Sequence, residues 1–122
     1  GTGRETRREL MGDGMVERMA VDVYDDPMIE KFVDYAIEAV WGLLWSRPGL
    51  DMKTRSLISV VTTATQARYT ELDMYLRIAL RQGWTEDELS EVLLQLAGYV
   101  GLPAIRGAMI TAKDVFVEMR QS

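Results

Sequence analysis

The sequence predicts an all-α fold, a helical bundle of about six helices that works as an oligomer. Three observations carry this. Apolar residues recur with a 3.6-residue period through most of the chain. Turn and capping residues stand at the ends of those stretches. No segment alternates with a period of two. The 122 residues, 48% of them hydrophobic, suffice for one helical domain. A lone domain of that size buries only about two-thirds of its unfolded surface, so partner subunits are expected.

Residues 1–25 are charged and interrupted by Gly12 and Gly14. They predict an irregular arm with short helices near residues 4–10 and 16–21, ahead of a helical domain over 26–122. Asp26-Pro27 is a helix start, with Asp as cap and Pro in the first turn. The stripe that follows is Ile29, Phe32, Val33, Ala36, Ile37, Val40, Trp41 and Leu44, closed by the turn Arg47-Pro48-Gly49. Asp51 caps a helix over roughly 52–66. Its centre, 57–67, carries no charge, which predicts burial on several sides in a core or a subunit interface. Thr70 is the expected cap of a helix through residue 80, with Leu72, Leu76, Ala79 and Leu80 facing inward and Gly83 closing it. Thr85 and Glu88 form a capping box for 86–100, whose stripe is Leu89, Val92, Leu93, Leu96 and Val100. Gly101 stops that helix. Pro103 stands near the start of the last one, with Ile105, Ala108, Met109, Ala112, Phe116 and Met119 inward.

Charge and composition narrow the chemistry. Fourteen basic against 19 acidic residues give a formal charge of −5, which disfavours nucleic acid. No apolar run approaches the ~20 residues of a membrane span, and Arg4, Glu5, Arg7, Arg8 and Glu9 leave no apolar stretch for a signal peptide. A cytoplasmic protein is expected. The chain has no Cys, hence no thiol redox chemistry, and no His, the usual general base near neutral pH. Catalysis must draw on Asp, Glu, Tyr, Lys, Arg, Ser or Thr.

Three segments carry a resemblance. They are Trp41-Gly42-Leu43-Leu44-Trp45-Ser46-Arg47-Pro48-Gly49-Leu50 with Lys53-Thr54-Arg55-Ser56-Leu57; Glu71-Leu72 through Leu76-Arg77 to Gly83; and Thr85 through Leu94 with Tyr99-Val100-Gly101-Leu102-Pro103-Ala104. Arg8-Glu9-Leu10-Met11-Gly12 adds a fourth. In order and spacing they resemble the carboxymuconolactone decarboxylase family, within the alkylhydroperoxidase-like superfamily. The resemblance implies an all-helical subunit, hexameric or trimeric rings, and a small-molecule site with no metal or organic cofactor. The peroxidase branch has C-x-x-C followed by His, and the positions corresponding to those residues look like Arg68, Glu71 and Tyr75. The decarboxylases usually place His at Tyr75, many place another at Gln95, and many have an acid at Leu43. The scaffold is similar while the proton-handling groups differ.

Decarboxylation through an enolate asks for an anchor for the anionic substrate, a hydrogen bond to the developing oxyanion, and a proton for carbon. Arg47, Arg55 and Arg77 are candidate anchors, since a guanidinium pairs with carboxylate in bidentate fashion; ion pairing within or between subunits is the competing reading for Arg55 and Arg77. Glu71 and Tyr75, four apart on one helix face, are the candidate catalytic pair; a solvated Glu below a half-buried Tyr is the alternative. Trp41, Trp45 and Tyr99 either wall the site or fill a core, and Gln95 can still hydrogen-bond a substrate. Trp84 reads as an interface or helix-join residue. Three functions follow: decarboxylation of carboxymuconolactone or a related cyclic acid; isomerisation, cyclisation or elimination on another enolisable molecule; or non-catalytic binding by an oligomer.

Overall fold

A computed structural model describes residues 2–22 and 26–121. Every regular element among them is helical: α1 (Thr2–Met11), α2 (Asp13–Asp22), α3 (Pro27–Ala36), a π-helical segment (Ile37–Leu44), α4 (Met52–Thr65), α5 (Tyr69–Arg81), α6 (Glu86–Val100) and α7 (Leu102–Gln121). The all-α prediction holds, with seven α-helices and a π segment in place of about six helices. The chain divides into two compact units, Gly1–Leu50 and Asp51–Ser122. The expected boundary between arm and domain, at 25 and 26, adjoins residues 23–25, which lie outside the described residues.

In the first unit, Asp26 caps α3 by accepting from the Met28 and Ile29 amides at 2.8 and 3.4 Å, with Pro27 in the first turn. The single helix expected through Trp45 changes its winding at Ile37. From there the bonds span five residues, as in the Trp45 amide donating to the Val40 carbonyl at 2.9 Å. Helix α1 buries Gly3, Thr6, Arg7, Leu10 and Met11, one helical face, and packs on the π segment. Two glycines permit that approach. A Cβ on Gly3 would fall inside the contact shell of the Ile37 carbonyl oxygen, and one on Gly42 would meet Gly3 Cα at 3.4 Å.

The stripe expected along α3 goes under only in part. Ile29, Val33 and Ala36 are half-buried and Phe32 is 65% exposed, so no residue of α3 is fully buried. Its apolar pattern is fully buried only at Ile37 and Trp41.

The second unit has a contiguous core. Val60 and Ala64 of α4, Leu72, Leu76 and Ala79 of α5, Leu89 and Leu93 of α6, and Ile105, Ala108, Ala112, Val115 and Phe116 of α7 pack together. Each fully buried leucine there contributes about 1.5–3 kcal/mol. Asp51 caps α4 through the Thr54 amide at 2.7 Å, and hydrogen bonding from the Thr54 side chain, then from its amide, holds the Asp51 carboxyl below the usual range. The Thr85–Glu88 capping box forms in both directions. Gly83 and Gly101 take the positive φ values their helix ends require, 106° and 97°. The uncharged centre of α4 buries Val60, Thr63 and Ala64 but leaves Ile58 half-exposed. Trp84 is a helix-join residue: its indole N–H donates to the Lys53 carbonyl at 2.8 Å, and the Lys53 ammonium lies 4.7 Å over its ring.

One helix start differs from expectation. Helix α5 begins at Tyr69, ahead of Thr70, and Arg68 occupies the cap position without a side-chain bond. The preceding Ala67 is held at φ 54°, the left-handed region.

Candidate functional site

Helix α5 turns Leu72, Leu76 and Ala79 into the core, which leaves Glu71 and Tyr75 side by side on the flank, one turn apart. Glu71 is exposed. Tyr75 is half-buried, its ring against the core cluster. Burial, and secondarily the negative charge of Glu71, push the Tyr75 phenol above its usual value of 10.0. The phenol therefore stays protonated through the neutral range and can donate a hydrogen bond. Among the catalytic candidates the structure brings this pair together.

Arg77, two residues on, is fully engaged. Its Nε donates to Asp73 at 2.8 Å, and its terminal nitrogens reach Glu118 of α7 at 3.0 and 3.2 Å. These bonds, Asp73's first, reinforce its positive charge. Between the two readings the sequence left open, the geometry is that of an ion pair tying α5 to α7, with the guanidinium side chain only 12% exposed. Arg55 is half-buried on α4. Gln95 and Tyr99 share the outward face of α6, Tyr99 being 80% exposed.

The remaining candidates belong to the first unit. Trp41 and Trp45 are buried, ring centroids 5.3 Å apart and planes 31° off parallel. That is packing geometry for an aromatic pair. Arg47 lies exposed in the turn after the π segment, its amide bonded to the Leu44 carbonyl at 3.2 Å. A groove of about 1060 Å³ crosses this unit, lined by Gly3, Arg4, Asp34, Tyr35, Glu38 and Leu43 among others. None of the candidate residues lines it.

Sequence reasoning passed over Tyr69. Its hydroxyl donates to the Ala104 carbonyl at 2.7 Å, and its ring occupies the space a Cβ on Gly107 would need. The head of α5 is thereby joined to the first turns of α7, at the Pro103-Ala104 end of the third segment. The signal was present in Gly107, a small residue in the inward half of an otherwise substituted helix.

Comparison with known proteins accords with this architecture. The carboxymuconolactone decarboxylase family profile matches residues 30–114. A 4-carboxymuconolactone decarboxylase of Acinetobacter baylyi (strain ATCC 33305 / BD413 / ADP1) is 38% identical over 117 residues, 96% of this chain and 86% of that protein. The nitrosuccinic acid decarboxylase npaB of Metarhizium robertsii (strain ARSEF 23 / ATCC MYA-3075) is 32% identical over 117 residues, 96% of this chain and 80% of its own length. An uncharacterized 15.0 kDa protein from the nqo9-nqo10 intergenic region of Paracoccus denitrificans is 33% identical over 105 residues, 81% and 78% of the two chains. The profile covers both the π segment and α5, and the two relatives with named activities are both decarboxylases. The chain belongs to the carboxymuconolactone decarboxylase family, an enzyme of the carboxy-lyase class.

Proposed function

We propose that this carboxy-lyase decarboxylates a small acid whose carbanion is stabilised by a neighbouring acceptor group, carboxymuconolactone or a related cyclic acid being the first choice. The observation that carries the reading is the Tyr75 phenol, a hydrogen-bond donor at neutral pH, half-buried against the core with Glu71 on the same face of α5. In the reaction the C–C bond to the carboxylate breaks and CO₂ leaves. The electron pair moves through the ring alkene onto the carbonyl oxygen of the lactone, giving an extended enolate. Tyr75 donates its hydrogen bond to that oxyanion. Glu71, open to water, relays a proton from solvent to carbon. The step as written balances without a metal or organic cofactor.

Tyr75 stands where related decarboxylases carry His, and npaB is named for a nitro acid rather than a lactone. A nitro group can take the electron pair in the same way, so nitrosuccinate is the second compound to test. Isomerisation, cyclisation or elimination through the same enolate is the alternative reaction. We also propose that the protein is a cytoplasmic homo-oligomer, trimeric or hexameric. Phe32, Leu43, Tyr99 and Leu102, from 65% to 80% exposed, are apolar surface that a second copy would cover. Among the described residues no helix is long and apolar enough to cross a membrane.

The experiment is CO₂ release from carboxymuconolactone and from nitrosuccinate. Release above the buffer rate is expected from one of them, and none from either would remove this substrate class. Tyr75→Phe is expected to lower kcat about 10²–10³-fold, the usual cost of one oxyanion donor. An unchanged kcat would take Tyr75 out of the mechanism. The sign of the pH dependence follows from the shift. The donor must be protonated and its pKa is raised, so activity should persist beyond pH 10 before falling. In Glu71→Gln the second cause of the shift is gone, and the alkaline limb of whatever activity remains moves to lower pH.

A further inference from the structure

We infer that the Arg68 guanidinium is the anchor for the substrate carboxylate on the Glu71–Tyr75 face of α5. The inference rests on the decarboxylase reading above and supplies the part that reading lacks, a cation beside the catalytic pair.

Arg77 cannot fill the role, because Asp73 and Glu118 already occupy its donors. Three other cations of the second unit are committed too: Arg120 forks onto Glu86 at 2.7 and 2.9 Å, Lys53 sits on the Trp84 ring, and Lys113 lies 3.6 Å from Asp114; Arg106, exposed on α7, is not on the helix of the catalytic pair. The Arg68 side chain is exposed, and among the described residues it has no carboxylate or other acceptor. Position singles it out further. Arg68 is the cap residue of α5, three positions before Glu71 and seven before Tyr75, at the head of the helix that carries both.

Two local rules are broken together to put it there. A helix start favours Ser, Thr, Asp or Asn at the cap, and here the residue is an Arg whose side chain makes no cap bond. Its backbone is held instead: the Arg68 amide donates to the Thr63 carbonyl at 2.9 Å, and its carbonyl accepts from Leu72 at 2.9 Å. The residue before it, Ala67, takes the left-handed conformation that a side chain disfavours. Tyr69, the residue after it, is tied to Ala104. The backbone of Arg68 is thus fixed on both sides while its donors point at nothing in the described chain. A guanidinium so placed matches a planar carboxylate with two parallel hydrogen bonds.

The test uses the full chain and two readouts. In steady-state decarboxylation, Arg68→Gln is expected to raise KM about 10- to 100-fold, the range of a lost charge-assisted hydrogen-bond pair. The fall in kcat should be smaller, and Arg68→Lys should recover part of the loss. Lys113→Gln removes the same charge from α7 and should leave KM unchanged. Calorimetry with methylsuccinate, an unreactive dicarboxylate of nitrosuccinate's size, reads binding alone: the parent should bind it and Arg68→Gln should lose that binding. If the parent releases no CO₂ but binds methylsuccinate through Arg68, the decarboxylase reading falls and the anchor stands. A KM and an affinity within twofold of the parent in Arg68→Gln would overturn the anchor while leaving decarboxylation intact. An equal loss in Lys113→Gln, or no methylsuccinate binding by the parent, would overturn it as well.

Discussion

The two compact units bury their apolar residues in different ways. In the second, twelve buried side chains from four helices meet in one cluster. In the first, α1 lies on the π segment through a glycine contact, while α3 keeps none of its residues buried. The second unit is held by one side-chain cluster; the first joins a smaller buried set, Leu10, Met11, Ile37, Trp41 and Trp45, to a close backbone approach. The difference teaches where each will fail. A side-chain core absorbs a small change by shifting rotamers, whereas a backbone contact has nothing soft to move. It also shows what an apolar stripe means: the 3.6-residue period of α3 is as regular as that of α5, but in a single chain only the stripe of α5 reaches full burial.

The largest effect expected from breaking this comparison is in the first unit. Gly3→Ala drives a methyl into the Ile37 carbonyl and should cost α1 docking about 3 kcal/mol, at the upper end for overpacking. Hydrogen exchange checks it. Amides of α1 and the π segment should lose protection while those of α5 and α7 keep theirs. Equal loss in both would mean that the units unfold as one, and the contrast drawn here would be wrong.

Arg77 sharpens the other side. It links α5 to α7 within the second unit, but Asp73 and Glu118 are 43% and 56% exposed, so solvent screens the pair. Arg77→Ala should lower stability by about 1–2 kcal/mol, measured by urea unfolding. It should do so without the 10-fold or greater KM change expected of a substrate anchor. A large KM effect at unchanged stability would return Arg77 to the substrate.

Much of the second unit was legible because its signals are local. Thr85 and Glu88 specify a helix start by bonds that close within four residues, and Asp51 and Gly83 do likewise. The Glu71–Tyr75 pair was legible for the same reason, as a spacing on one helix. What was not legible depends on distant contacts. The π winding begins at Ile37, whose carbonyl lies against Gly3 of α1, more than thirty residues away. The engagement of Arg77 depends on Glu118, 41 residues on. The burial of Trp41 and Trp45 follows from packing that periodicity alone does not specify. At the head of α5, Thr70 offered the better cap by composition. The helix starts two residues earlier, which puts Tyr69 in its first position with its ring at Ala104 and Gly107.

That displaced start gives the smallest and most diagnostic effect. Ala67 at φ 54° carries a Cβ where a glycine would carry none, at a cost of about 1 kcal/mol. Ala67→Gly relieves the crowding but adds freedom to the unfolded chain, which takes back part of the gain. The net expectation is a stabilisation of about 0.5 kcal/mol, seen as a small rise in Tm. If the strain only aims Arg68, and the turn is already fixed by the Arg68–Thr63 and Tyr69–Ala104 bonds, then relaxing it should leave KM where it was. A rise in KM alongside the rise in Tm would show that the left-handed alanine itself holds the guanidinium in place. In either case a gain in stability at this one turn would mark it as the place where the second unit departs from its own side-chain logic, and it is the turn that carries Arg68, which has no acceptor among the described residues.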